Sequence, residues 1–160
     1  MSDFEFDLDL RKLTDTLTRL IGACDSMPEI AQQTEREALG HLILGARRNI
    51  YDTAPAARYI RSGDYLRGLR ARGTSTLNTA SVRVWNEVEY AAAVETGREG
   101  MSLAMLSQLA ALQPDPGQPL SLGRSGKRWQ VAAPVVTGAQ VYAQRRLMQL
   151  FTQKVERVLR

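Results

Sequence analysis

The spacing of apolar residues changes along this 160-residue chain, and the change limits the folds open to it. Over about residues 9–25, and again over about 26–49, apolar side chains recur every three or four positions, which predicts two amphipathic helices. Over residues 77–88, Ser81 and Arg83 alternate with valines, which is the period of a strand. Because the two periods occupy separate blocks, the sequence predicts an α+β domain.

The predicted architecture is an N-terminal helical hairpin, a small and mostly antiparallel sheet, and a long C-terminal helix. Ser26 and Thr137 each begin a capping-box pattern, so they are predicted to start the second helix and the last helix. Short helices are predicted over residues 64–69, 89–96 and 101–112, and the second of these is expected to stop at Gly97. Strands are predicted over residues 70–75, 77–88 and 127–132.

The first ten residues differ in pattern from the rest of the chain. Phe4, Phe6, Leu8 and Leu10 alternate with polar residues, most of them acidic, which predicts a short extended start. The same acidic character argues against a secretory signal, and no apolar run has the length of a membrane span, so we expect a soluble protein. The lone Cys24 fits a reducing compartment.

The composition favours a single folded domain over residues 1–160. Apolar residues make up 44% and charged residues 24%, close to the average of globular proteins. The chain has 21 basic and 17 acidic residues, a formal charge of +4. That balance permits contact with an acidic partner or with DNA but does not require it.

The residues of an active site do not converge in this sequence. His41 has no nucleophile or acid at a suggestive spacing, and Cys24 falls on an apolar helical stripe. The run from Gly123 to Lys127 lacks the glycine spacing of a phosphate loop. Glu87, Glu89 and Glu95 do not share a helical face. We therefore predict a protein that is not an enzyme, with no catalytic residue, cofactor or metal site.

Arginines concentrate in one stretch, around a predicted loop. Two interpretations stay open: an ordinary solvated surface, or an electrostatic contact with an acidic partner subunit or the DNA backbone. A second basic run lies within residues 124–128. The interface or channel candidates from these two regions and the residues between them are Arg58, Arg61, Arg67, Arg70, Arg72, Tyr90, Glu95, Arg124, Lys127 and Arg128.

Two motifs resemble those of a known family. Tyr90-Ala91-Ala92-Ala93-Val94-Glu95-Thr96-Gly97 fits a Tyr-Ala-x-x-Val-Glu-x-Gly pattern placed just after a strand. Ala54-Pro55 followed by Ser62-Gly63-Asp64-Tyr65-Leu66-Arg67 is similar to a proline and Thr-Gly-x-Leu-Arg pattern. With these motifs and its order of elements, the chain resembles the tail-completion, or head–tail joining, family of tailed bacteriophages, which is related to lambda-type minor tail proteins.

The resemblance implies a structural protein of the virion neck, assembled in the host cytoplasm as a ring that is a hexamer or a dodecamer. Its implied partners are a portal, adaptor or head-closure protein and the tail tube protein, with non-specific contact to genomic DNA in the channel and none to membranes. Residues 101–126 correspond to a variable insertion. The alternative function is a DNA-binding accessory protein with a basic surface.

Glu95 has two possible roles within that picture. In the first, it pairs with an arginine between Arg58 and Arg72, within the subunit or across a ring interface. Changing Glu95 to arginine would then impair assembly and leave the isolated fold intact. In the second, the motif simply maintains the fold.

Overall fold

The structure is a computed structural model, and it describes residues 10–53 and 61–160. The predicted extended start, the Ala54-Pro55 part of the second motif and Arg58 lie outside the described residues. In chain order the elements are α1 (Leu10–Cys24), α2 (Met27–Ala46) continued by a π-helical turn (Arg47–Tyr51), α3 (Asp64–Arg67), β1 (Leu69–Ser75), β2 (Ala80–Asn86), α4 (Ala91–Thr96), α5 (Leu103–Leu112) and α6 (Val135–Leu159).

The predicted α+β class is confirmed. A hairpin-like pair of long N-terminal helices precedes a two-stranded antiparallel sheet, and a long helix ends the chain. β1 and β2 pair in register from Leu69 opposite Asn86 to Ser75 opposite Ala80. α1 makes its main contacts with α6.

The core lies where α2, α6 and the inner face of the sheet meet. α2 buries Ile30, Thr34, Ala38 and Leu42, which repeat every four residues along one face. Gly73 lets β1 lie directly on α2, because a Cβ atom there would collide with the main chain of Ala31. The helix and the strand are therefore held at a separation that only glycine permits.

The predicted strand over residues 127–132 is wrong. Its hydrogen bonds are those of local turns: the Arg128 N–H donates to the Ser125 carbonyl, and the Val131 N–H donates to the Arg128 carbonyl. The Gln130 carbonyl accepts from the Arg98 N–H at 2.9 Å, outside any ladder. The segment has β-forming side chains, but within residues 10–53 and 61–160 no strand lies beside it with which to pair.

Both predicted capping boxes are also wrong. Ser26 is the N-cap residue of α2, so the predicted start is confirmed, but its side chain makes no capping hydrogen bond because the chain turns almost continuously from α1 into α2. α6 begins at Val135, two residues before Thr137, and the Thr137 hydroxyl donates to Glu95 instead.

No helix within the described residues combines the length and apolarity needed to cross a membrane.

Candidate functional site

Glu95 lies in the protein interior, where it joins α4 to the start of α6. Its side chain is only 4% exposed. One carboxylate oxygen accepts hydrogen bonds from the Val136 N–H at 2.6 Å and the Tyr65 hydroxyl at 3.2 Å. The other oxygen accepts from the N–H and the hydroxyl of Thr137, at 3.1 and 2.9 Å. All four hydrogen bonds are donated to the carboxylate.

This arrangement caps α6 from another element. The first N–H groups of a helix have no partner within it, and Pro134 at the N-cap supplies no side-chain acceptor. The Glu95 carboxylate satisfies two of those groups and places negative charge at the positive end of the helix dipole. Glu95 therefore takes the capping role that the sequence pattern predicted for Thr137.

The electrostatics follow from burial. Burial raises the pKa of the Glu95 carboxyl, and the four hydrogen bonds that it accepts act in the opposite direction. Burial and the nearby Glu95 charge raise the pKa of the Tyr65 hydroxyl well above its ordinary value. Tyr65 thus stays protonated and donates.

The prediction that Glu95 is an interface or channel residue is wrong. Among the described residues its hydrogen-bond donors are Tyr65, Val136 and Thr137, none of them an arginine. A side chain this buried presents nothing to a neighbouring subunit. Of the two roles considered for Glu95, maintenance of the fold is the one that the structure supports.

Gly97 completes the junction between α4 and the segment before α6. It has φ +69° and ψ 174°, a conformation that is essentially restricted to glycine. A Cβ atom there would lie 2.5 Å from the Gln130 carbonyl oxygen and 2.6 Å from the Ala132 nitrogen. The Ala133 N–H donates to the Val94 carbonyl at 2.9 Å. We call this junction, made by residues 94–97 with 130–137, the α4–α6 clasp.

A groove runs beside the clasp. One cavity of about 380 Å³ has Ile50, Tyr51 and Arg61 at one end, and a second of about 300 Å³ has Arg98 at the other. Both are lined by Tyr90, Val94, Arg124 and Trp129. Tyr90 and Trp129 are each about half exposed. We call the surface formed by Tyr90, Val94, Arg98, Arg124 and Trp129 the aromatic groove.

Four residues of the groove carry charge or an aromatic ring. Tyr90 and Arg124 were predicted from the sequence as site residues, whereas Arg98 and Trp129 were not. Arg124 donates to the Val131 carbonyl at 2.8 Å, which fixes its guanidinium near the groove. Lys127 and Arg128 are exposed on the loop that leads to Trp129. A tryptophan beside two basic residues was the available signal.

The solvent face of the sheet is a second basic surface. Arg72 and Arg83 are directly opposite each other, and Arg70 is opposite Trp85, so these four side chains share one face. The Arg83 guanidinium lies 5.1 Å from the centroid of the Trp85 ring. Like charges directly opposite each other on two strands destabilise a sheet. An anion bound between Arg72 and Arg83 would relieve that repulsion. We call Arg70, Arg72, Arg83 and Trp85 the basic sheet face.

The predicted arginine cluster is divided among separate environments. Arg61 turns inward and donates to the carbonyls of Tyr51 and Thr53, at 2.8 and 2.7 Å. Arg67 pairs with Asp64 within α3. Of the described members, only Arg70 and Arg72 share a surface, and Arg70 also pairs with Glu87 at 2.8 Å.

His41 is buried and stacks on Tyr142, with ring centroids 4.5 Å apart. Neither ring nitrogen makes a hydrogen bond of ordinary geometry to the described residues. Burial lowers the pKa of His41, and the main chain at Gln118 and Pro116 partly offsets that effect. Residues 10–53 and 61–160 bring together no group of three side chains able to hold a metal ion.

α1 carries an uncovered apolar stripe. Leu13, Leu17 and Ile21 follow one another at four-residue spacing and are 48%, 51% and 66% exposed. The polar residues around them, from Arg11 to Arg19, are exposed as well. The described residues thus leave this stripe about half exposed, although α1 contacts α6.

Comparison of the chain with models of known protein families, with curated proteins and with solved structures gives no match.

Proposed function

We propose that this chain is a structural subunit of the neck of a tailed bacteriophage, and that copies of it form a ring joining the head to the tail. The observation that carries the proposal is the uncovered stripe of Leu13, Leu17 and Ile21 on α1. A helix of 15 residues is marginal in water and depends on tertiary packing. α1 contacts α6 but keeps its apolar stripe about half exposed, and a second copy that covers the stripe would add to that packing.

The energetics favour such an interface. Fully burying a leucine or isoleucine side chain contributes roughly 1.5–3 kcal/mol, so covering three half-exposed ones contributes several kcal/mol. A closed ring requires the stripe to meet a different surface on the next copy, since ring contacts are heterologous. In a hexamer or a dodecamer every copy then has its stripe covered.

The clasp supports the resemblance to the tail-completion family. In the Tyr90–Gly97 motif, Glu95 accepts from the first N–H groups of α6, Gly97 allows the segment before α6 to approach closely, and the Val94 side chain packs against the core. These are the residues of the Val-Glu-x-Gly part of the pattern. The motif therefore has a physical reason to recur in chains that share this junction.

The basic sheet face suits a channel surface. Arg72 and Arg83 offer two adjacent positive charges without base-reading geometry, which fits non-specific contact with DNA phosphates. Under this proposal the ring contacts a portal, adaptor or head-closure protein on one side and the tail tube protein on the other. Its place is the virion.

Changing Leu17 to aspartate is expected to weaken ring formation at least about tenfold, because the variant places a charge in the apolar contact. Sedimentation velocity of the purified chain measures the oligomer, and circular dichroism checks that the fold is kept. Thr18→Asp is the matched control: it adds the same charge at an exposed position off the stripe. A wild-type chain that stays monomeric over the whole concentration range would contradict the proposal.

The second candidate is a DNA-binding accessory protein, which the juxtaposition of Arg72 and Arg83 specifically favours. It predicts that the monomer binds duplex DNA of random sequence with an affinity that falls between about 50 and about 200 mM salt. Arg72→Gln/Arg83→Gln should lower the salt slope by roughly two. Arg36→Gln, at an exposed position on α2, should not. Binding seen only at concentrations that form rings favours the neck protein instead.

A further inference from the structure

We propose that the aromatic groove of one copy binds the acidic N-terminal segment, residues 2–9, of the neighbouring copy. This inference rests on the proposed ring and identifies one of its contacts. Groove and segment are complementary in charge and in the spacing of apolar groups.

The groove offers rings, an apolar floor and positive charge. Tyr90 and Trp129 present half-exposed aromatic faces, and Val94 lies between the two cavities. The charged side chains among its described lining residues are Arg61, Arg98 and Arg124, all positive. Such a surface suits a peptide that carries both carboxylates and apolar side chains.

The segment has that composition. Its sequence is Ser-Asp-Phe-Glu-Phe-Asp-Leu-Asp, with four carboxylates alternating with three large apolar residues. In an extended peptide, alternate side chains point to opposite sides. Phe4, Phe6 and Leu8 would therefore project together toward the rings. The carboxylates would project to the other side of the peptide, where a long exposed side chain such as that of Arg98 can reach them. The alternation of apolar and acidic residues that predicts an extended start would then serve this contact.

The position of α1 favours a neighbouring copy. The segment precedes the end of α1 whose residues, from Arg11 to Arg19, are at least partly exposed. Eight or nine extended residues reach roughly 30 Å at most. If the stripe on α1 docks on the next copy, the segment is delivered to that same copy. The two contacts then reinforce each other through effective concentration.

DNA is a weaker match for this groove. Arg61 and Arg124 already donate to main-chain carbonyls, so Arg98 is the most exposed charge among the described lining residues. One exposed arginine beside aromatic rings suits a mixed apolar and acidic peptide better than a row of phosphates. Phosphates are better matched by the basic sheet face, where Arg72 and Arg83 are exposed side by side.

The test uses two full-length variants, one altered in the segment and the other in the groove. Phe4→Ala/Phe6→Ala removes the aromatic anchors, and Arg98→Glu reverses an exposed charge of the groove without touching the core. Each variant alone should weaken ring formation at least about tenfold in sedimentation velocity. An equimolar mixture should form heterodimers, because an intact segment meets an intact groove once per pair. Arg36→Glu is the control for charge reversal.

Trp129→Ala provides a second groove variant, with its melting curve as the folding check. The inference is overturned if the wild type forms rings and the segment and groove variants form them equally well. It is also overturned if the mixture gives no heterodimers, because a segment that binds the groove of its own chain would give none. A loss of DNA affinity in Arg98→Glu with rings unchanged would assign the groove to DNA. A monomeric wild type would instead refute the ring proposal itself.

Discussion

Replacing Glu95 with alanine is expected to lower the free energy of unfolding by about 3 kcal/mol or more, since each buried donor left without an acceptor costs about 1–3 kcal/mol. The change leaves the N–H groups of Val136 and Thr137 without an acceptor at the buried start of α6, together with the Tyr65 hydroxyl. It also removes negative charge from the positive end of the helix dipole. Urea unfolding followed by circular dichroism measures the loss.

Two further variants separate the causes. Glu95→Gln keeps the volume and one acceptor oxygen but turns an N–H₂ donor toward groups that also donate, so its loss should be intermediate. Glu89→Ala removes an exposed carboxylate from the turn before α4 and should change the free energy by less than about 0.5 kcal/mol. If Glu95→Ala lies within about 1 kcal/mol of Glu89→Ala, Glu95 does not hold the clasp.

These contacts of Glu95 also change the result expected for Glu95→Arg. A surface residue changed to arginine would alter assembly and leave the fold intact. At a site that is 4% exposed and made only of donors, a guanidinium has no acceptor and no room. Glu95→Arg is therefore expected to unfold the subunit.

The helices were predictable because their signals are local. The apolar stripe of α2 repeats every four residues, and its predicted end near residue 49 falls within the π-helical turn Arg47–Tyr51. Gly97 ends α4, as expected from its lack of a side chain. Local chemistry was enough at each of these places.

The clasp was not predictable because its partners are far apart in sequence. Glu95 lies 41 and 42 residues before the amides that it accepts from, and 30 residues after Tyr65. No spacing rule connects such positions. The same distance explains the wrong strand over residues 127–132, whose Gln130 carbonyl is used by Arg98 and not by a neighbouring strand.

The candidate surface was predicted only in part. Arg70 and Arg72 were identified from their density, but alternation along a strand decides which residues share a face with them. That rule, applied across the pair of strands, adds Arg83 and Trp85. Arg61 was counted with the cluster, yet its guanidinium is used to hold the carbonyls of Tyr51 and Thr53. Charge density alone does not separate a structural arginine from an exposed one.

The second large effect is expected at Gly97. Changing Gly97 to alanine should lower the free energy of unfolding by about 3 kcal/mol or more. Its conformation, φ +69° and ψ 174°, costs a residue with a Cβ about 1–3 kcal/mol. The added carbon also meets Gln130 and Ala132 main-chain atoms at 2.5 and 2.6 Å, and these atoms cannot rotate away as a side chain would. Thermal and urea unfolding measure the loss.

Gly100 provides the matched control, because the two glycines differ in their surroundings more than in φ. Gly100 has φ +70°, and a Cβ atom built there meets no heavy atom within 4 Å. Gly100→Ala should therefore cost about 1 kcal/mol with no steric contact, and the extra loss in Gly97→Ala measures the close approach in the clasp together with the glycine-restricted ψ of 174°. Tyr90 and Trp129 belong to segments on opposite sides of this approach, so Gly97→Ala should also change the fluorescence of Trp129 before global unfolding. If Gly97→Ala and Gly100→Ala lose equal amounts of unfolding free energy, then α4 and the segment before α6 are not held together at Gly97. In that case the clasp does not fix the shape of the groove.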